Sequence, residues 1–175
     1  MFIIGLCGKA GCGKSTIANS LAYSLASKGM SVFVIPLAQP VKEIANMFGW
    51  DWKKDERGRK LLQQIGTDVG REYNVNIWID KLKNKLLQLP DESIVIIDDV
   101  RFDNEVEFIE NLEGQVFHIL RDVHEILDHV SEHGIDYTFG KHKIVEIGNE
   151  GSLADTMEVI LDLIDNEIVY RFLWR

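Results

Sequence analysis

Apolar residues fall along this chain in two rhythms: short unbroken runs, and longer stretches in which they recur every third or fourth position. Met1 to Cys7 is a nearly continuous apolar run with β-branched Ile3 and Ile4, ending at Gly8. Such a run predicts a central strand covered on both faces. From Ser15 onward Ile17, Leu21, Ala22, Leu25 and Ala26 keep helical spacing, and Gly29 stands where a C-terminal cap belongs. Ser31 to Leu37 and Ile94 to Ile97 predict a second and a third strand, the third ended by Asp98-Asp99. Phe102 to Leu112 predicts a short helix, Gln115 to Leu120 and Lys143 to Ile147 two more strands, and Leu153 to Ile164 a closing helix.

Strands separated by helical stretches predict the α/β class, a parallel sheet of about five strands flanked by helices with right-handed crossovers. Two inserts interrupt the alternation. Gln39 to Asp91 is mostly helical and polar; Arg121 to Lys141 is short and rich in His, Asp and Glu. Without repeats, low-complexity tracts or linkers, residues 1–175 read as one domain with two excursions. A chain of 175 residues buries roughly 70% of its extended surface, enough for a core without disulfides or structural metal.

Composition narrows the function classes. At 46% hydrophobic and 27% charged, the chain is neither disordered, fibrous nor membrane-embedded, and it holds no run of about 20 apolar residues. Phe2 to Cys7 lacks a basic leader, so no signal peptide is expected. Cys7 and Cys12 are too few for a disulfide framework and wrongly spaced for zinc or a CxxC motif, which points to a reducing, cytoplasmic setting. The net charge of −9 excludes a broad cationic face for duplex nucleic acid or a membrane surface. A small phosphorylated ligand needs only a few cations.

The sharpest chemistry lies at Gly8-Lys9-Ala10-Gly11-Cys12-Gly13-Lys14-Ser15, which fits GxxxxGK[ST] between a predicted strand and a predicted helix. Glycines permit the backbone conformations that turn successive N–H groups inward onto phosphate oxygens, and the helix N-terminus adds positive potential. Lys14 then reaches the β- and γ-phosphates and Ser15 ligates Mg2+. Cys12 reads as a small loop filler. Asp98-Asp99-Val100-Arg101 follows the third strand at the edge where α/β sheets hold ligands. One aspartate, Asp99 by preference, serves Mg2+ or the accepting phosphate, and Arg101 a second phosphoryl group.

The first insert carries Arg57, Arg59 and Arg71 with Gln63, Gln64 and Thr67 between them and Tyr73 and Trp78 nearby. Guanidinium forks, amides and rings suit a nucleotide. All five histidines lie between His118 and His142 without HxxxH or HExxH spacing, so polar lid contacts are expected ahead of a transition-metal site.

These residues together resemble the phage deoxynucleoside monophosphate kinase family among the P-loop kinases. Besides the phosphate loop, the resemblance rests on Pro36 to Glu43, Gly58 to Arg71, Asn76-Ile77-Trp78, Asp99 to Glu105 and His129 to Glu132. It implies a nucleoside-monophosphate-kinase-like core, with 39–91 holding the acceptor and 121–141 acting as a lid. It implies transfer of the ATP γ-phosphoryl group to a deoxynucleoside monophosphate with Mg2+. Carried onto this chain, it implies that Gly8, Gly11, Cys12, Gly13, Lys14, Ser15 and Thr16 hold the donor phosphates, with Arg121, Asn149 and Gly151 also on the donor side. Lys42, Arg59, Gln63, Thr67, Arg71, Trp78, Arg101, Glu105, Ser131 and Glu132 are the acceptor candidates. Lys14, Asp99 and Arg101 would act at the transfer point, and Ser15 and Asp99 would hold Mg2+. Gln39 stands where the family often has an acidic residue, and the second insert carries few cations.

Two other readings share the loop. Another small-molecule P-loop kinase, resembling dephospho-coenzyme A or phosphomevalonate kinases, would keep the core and change the acceptor; a non-catalytic nucleotide-binding module would need no second phosphate site. The aromatic tail Tyr170 to Trp174 suits covering the core or a subunit contact such as a homodimer.

Overall fold

The computed structural model describes residues 1–122, 134–138 and 140–172, the last seven through their backbone alone. Strands β1 (Phe2–Cys7), β2 (Ser31–Val34), β3 (Ser93–Val100), β4 (Gln115–Leu120) and β5 (Ile144–Gly148) form one sheet in the order β2-β3-β1-β4-β5, every pairing parallel. The helices are α1 (Lys14–Ser27), α2 (Gln39–Met47), α3 (Glu56–Gln63), α4 (Ile77–Leu86), α5 (Asp103–Asn111) and α6 (Leu153–Phe172), and a π-helical segment, Gln64–Arg71, continues α3. The chain forms two compact units, residues 1–34 with 90–175 and residues 35–89.

In the first unit β1 is central and buried along its whole length, which is why its sequence is apolar without alternation. On one face Phe2, Ile4, Leu6 and Phe117 pack with Ile17, Leu21 and Leu25 of α1 and Ile160 and Ile164 of α6. On the other, α5 comes so close that a Cβ on Gly5 would stand 2.6 Å from Ile109 Cδ1. The sheet thus has helices on both faces, and its strand ends are the accessible edge.

Three expected boundaries move. Strand β2 stops at Val34 because Pro36 has no N–H to donate. Strand β3 runs through Asp98-Asp99 to Val100 rather than ending before them. Its register against β1 slips between Ile97 and Val100, two residues facing one, so a bulge falls on the aspartate pair. Helix α6 continues to Phe172 and takes in Tyr170, whereas Leu173 and Trp174 lie outside the described residues.

The C-terminal end of the second insert is tied to α5. Asp103, at the first position of α5, receives the Asp136 N–H (2.8 Å) and Lys141 Nζ (2.6 Å), and Lys141 also reaches Asp136 (3.0 Å). His142 lies between Asp103 Oδ1 (3.1 Å) and Glu110 Oε2 (3.4 Å). Partial burial would raise the Asp103 pKa, but Lys141, the Asp136 amide and His142 outweigh it and hold the carboxyl below its ordinary value. Thr138 and Lys141 hold Asp136 lower still.

In the second unit Trp78 is buried, its indole N–H donating to the Gly66 carbonyl at 2.8 Å. Gly70 faces the ring so closely that a Cβ there would sit 2.4 Å from Trp78 Cζ2 and 2.8 Å from the Ile65 carbonyl. The π-helical turn provides this room, since its wider spiral places a glycine, not a side chain, against the indole.

Gly70→Ala should therefore lower the unfolding free energy of the second unit by about 1–3 kcal/mol, through overpacking against a rigid ring and backbone. Chemical denaturation followed by Trp fluorescence measures this, and an unchanged midpoint would show that the helix can shift. A depressed carboxylate contributes stability above its unfolded pKa of about 3.9 and loses it as pH falls through the folded value. Asp103 and Asp136 should then titrate below about 3.9 by carbon NMR, with the C-terminal end of the second insert released only in acid. Titration at the ordinary value would contradict the tether.

Candidate active site

The phosphate loop begins where β1 ends. Gly8 has φ +130°, and a Cβ there would meet the Ile119 carbonyl at 2.5 Å, so the turn out of the sheet requires glycine twice over. Gly13, at φ +103°, closes the loop as the residue before α1. Lys14 is buried and folds back over the loop, donating to the Gly8 (2.6 Å) and Lys9 (2.7 Å) carbonyls. These bonds put the ammonium at the loop's own backbone, where a phosphate oxygen would meet it. Cys12 is fully buried with Sγ 3.6 Å from Lys14 Nζ, in keeping with a filler. Ser15 and Thr16 are exposed at the first turn of α1.

The bulge in β3 decides which aspartate meets the loop. Ser15 Oγ donates to Asp98 Oδ2 at 2.6 Å, so Asp98 takes the position expected of Asp99. Asp98 Oδ1 is buried and has no hydrogen-bond partner among the described residues. An orphaned carboxylate oxygen beside a hydroxyl is a hard-oxygen donor set that fits Mg2+, which binds through one or two carboxylates and keeps several waters. The described residues contain no cluster of three or more His, Cys, Asp or Glu side chains suited to a tighter metal site.

Arg101 follows β3, and its backbone position is locked. Glu105 Oε2 accepts the Arg101 N–H (2.6 Å) and the Phe102 N–H (3.1 Å). Glu105 was expected to meet substrate; it is almost wholly buried and caps the start of α5 instead. The reason is its place three residues into the helix, where a carboxylate folds back on unpaired N–H groups. Gly134 packs against the same turn, with its carbonyl accepting from Asp103 N at 3.0 Å.

Asn149, at the end of β5, was expected to touch the donor through loop backbone. Its side chain is buried and donates from Nδ2 to the Cys12 carbonyl at 2.8 Å, while Oδ1 accepts from Thr156 Oγ1 at 3.0 Å. Gly151 and Arg121 are exposed. Asp122 N donates to Glu150 Oε1 at 2.5 Å, which joins the start of the second insert to the 148–152 loop. Ser131 and Glu132 lie outside the described residues, as do His124, His129 and His133.

Beneath the loop, His118 of β4 stacks on Tyr137 with ring centroids 4.2 Å apart. Burial holds the His118 imidazole below its ordinary pKa against the opposing pull of Glu146, whose carboxylate is 3.7 Å away. The Tyr137 hydroxyl contacts Cys7 Sγ at 3.8 Å, and burial pushes the Cys7 thiol up to about 11. Sequence reasoning missed this stack, and nothing in the spacing of residues 7, 118 and 137 announces it.

The second unit contains the other candidates. Arg59 and Gln63 on α3, then Thr67 and Arg71 on the π-helical segment, follow at four-residue steps. All four are half-buried, while Lys60, Gln64, Asp68 and Glu72 beside them are exposed. Arg71 also reaches the Val75 carbonyl at 3.3 Å, and Lys42 on α2 is half-buried. Trp78, expected as a stacking ring, is committed to the interior by its packing on Gly70.

A parallel sheet with helices on both faces and an intact phosphate loop at its strand ends defines the P-loop kinase fold. Solved structures agree. The gluconokinase of Sinorhizobium meliloti superposes with a TM-score of 0.54 at 13% identity, over 99% of this chain and 97% of its own. An APS kinase from Mycobacterium tuberculosis gives 0.50 at 12% identity, over 94% and 96%. At these identities the likeness concerns fold alone. A family model described as deoxynucleotide monophosphate kinase matches residues 50–160, and one described as anion-transporting ATPase matches residues 1–65, the stretch with the phosphate loop. A protein of Acanthamoeba polyphaga mimivirus, provisionally named a deoxynucleotide monophosphate kinase, is 34% identical over 145 residues, 69% of this chain and 75% of its own. An uncharacterized ATP-binding protein of Methanocaldococcus jannaschii is 42% identical over 93 residues, 48% of this chain and 37% of its own. The chain belongs to the deoxynucleotide monophosphate kinase family.

With Cys7 and Cys12 both fully buried and Cys7 held protonated, neither thiol should react with an aromatic disulfide at pH 8 until the protein unfolds. Rapid labelling of the native protein, counted by mass spectrometry, would show that the loop opens.

Proposed function

We propose that this chain transfers the γ-phosphoryl group of ATP to a deoxynucleoside 5′-monophosphate, releasing ADP and the deoxynucleoside diphosphate. The observation that carries the reading is the Ser15–Asp98 pair, with its orphaned Oδ1, beside an intact phosphate loop in a chain of this family. A donor and an acceptor phosphate together bring several negative charges to one point, so the problem is positioning and charge neutralisation rather than covalent chemistry.

The loop's N–H groups and the start of α1 receive the donor phosphates, and Lys14 exchanges its Gly8 and Lys9 carbonyls for phosphate oxygens. The Ser15 hydroxyl and Asp98 would hold Mg2+, which would supply charge neutralisation for the donor phosphates. Arg101, its backbone fixed by Glu105, meets the accepting phosphate. The second unit binds the monophosphate through the row Arg59, Gln63, Thr67 and Arg71, with guanidinium forks for phosphate and amide and hydroxyl groups for the base or sugar. No general base is needed, because the acceptor oxygen is already anionic. The second insert, tied at its start to the 148–152 loop and at its C-terminal end to α5, excludes water as a lid. A cytoplasmic setting follows from the substrates and the free thiols.

Purified protein given ATP, Mg2+ and dGMP, dTMP, dCMP, dAMP or the ribose counterparts should release ADP only with an accepted monophosphate. Lys14→Ala should retain no more than a few per cent of the wild-type rate. Asp98→Asn should lower kcat by about 100-fold and Asp99→Asn by much less, if losing one charged contact in the transition state costs about 3 kcal/mol. Slow ATP hydrolysis indifferent to every monophosphate would reject the kinase reading.

A further inference from the structure

The Asn149 side chain is spent on the phosphate loop itself. Its Nδ2 donates to the Cys12 carbonyl across 137 residues of sequence, and both partners are buried. Which atom of the amide faces the loop is fixed by chemistry. A carbonyl can only accept, so the nitrogen must face Cys12; Thr156 Oγ1 then donates to Oδ1 at 3.0 Å from the first turn of α6. Thr156 is 3% exposed and Asn149 7%, so this relay is shielded from competing water. The Asn149 backbone is held as well, its N–H donating to the Leu120 carbonyl at 2.7 Å.

The Cys12–Gly13 peptide is trans, so its carbonyl and its N–H point in opposite directions within one plane. Holding the Cys12 oxygen against Asn149 therefore turns the Gly13 N–H away from Asn149. That N–H stands immediately before α1, in the run of amides that bind phosphate in a loop of this kind. Gly13 has no side chain to resist: its φ is +103°, and a Cβ would lie 2.6 Å from Asn149 Nδ2. The amide thus fills the space that the glycine vacates.

We propose that Asn149 is a positioning residue which aims the Gly13 amide at the donor phosphate by gripping the Cys12 carbonyl, with Thr156 fixing its own orientation. The inference rests on the reading that the loop binds ATP. It makes the 148–152 loop and the phosphate loop one unit, so polyphosphate affinity depends on a residue outside the loop motif. Without the grip, the Cys12–Gly13 peptide can rotate, and the phosphate must reorder it on binding.

The test measures dissociation constants for Mg2+–ATP and Mg2+–tripolyphosphate by calorimetry, well below the melting temperature, on wild type, Asn149→Ala, Thr156→Val and Thr156→Ser. Steady-state KM values for ATP and for the accepted monophosphate accompany them. Asn149→Ala should weaken ATP and tripolyphosphate alike by about tenfold, the value of one buried hydrogen bond, and leave the monophosphate KM within about twofold. Thr156→Val should weaken both in the same ratio to a smaller extent, and Thr156→Ser, which keeps the hydroxyl, should restore wild-type affinity. If Asn149→Ala fails to fold, the two Thr156 variants carry the comparison. Unchanged affinities with a lowered melting temperature would overturn the inference and leave Asn149 a purely structural residue. A loss confined to ATP would also overturn it, placing the contact at the base instead. Wild-type protein that binds neither probe would remove the loop reading itself, a different failure from equal binding by wild type and variant.

Discussion

Everything at the accessible edge of this sheet hangs on the lack of room where β1 ends. Cys7 is fully buried, and the next residue must turn out of the sheet within 2.5 Å of the Ile119 carbonyl, where no Cβ fits. The chain therefore leaves with a glycine, spends the following residues in a tight turn and enters α1 at Lys14. That path decides which way the backbone amides face and brings the Lys14 ammonium back onto Gly8 and Lys9. A central strand buried on both faces cannot shift to relieve the crowding, because each of its neighbours packs to interior density.

Around this fixed point, several buried polar groups are each held in a single arrangement. Glu105 ties the Arg101 and Phe102 amides, Asn149 ties the Cys12 carbonyl, and Thr156 ties Asn149. Leaving any of these groups unpaired would cost about 1–3 kcal/mol, so the apolar scaffold holds them in place. Asp98 differs, with one oxygen on Ser15 and the other, like Ser93 Oγ and His118 Nδ1, buried without a hydrogen-bond partner among the described residues. A carboxylate oxygen left open beside the Ser15 hydroxyl is a donor set that fits a cation.

The second unit solves a different problem. Its row of Arg59, Gln63, Thr67 and Arg71 needs a helix surface that stays half-buried over several turns, and its interior needs room for an indole. The π-helical segment meets both needs. It carries the polar row past α3 while placing Gly70 against Trp78. Trp78 thereby serves the unit from inside, where an aromatic ring near a run of arginines had suggested a stacking platform.

The strands, most of the helices and the phosphate loop were legible in the amino-acid order, because periodicity and glycine chemistry are settled within a few residues of chain. The resemblance to the family was legible for the same reason, being carried by contiguous motifs. The choice of Asp98 over Asp99 was not, since it follows from a one-residue slip of β3 against β1 and a contact with Ser15 across 83 residues. Nor were the inward roles of Glu105 and Trp78, the grip of Asn149 on the loop, or the stack of His118 on Tyr137. Local order specified which groups the chain possesses and the elements that carry them; register and packing between distant segments alone decided which way each group points, because a side chain's direction at a strand end or helix start reverses with a single step.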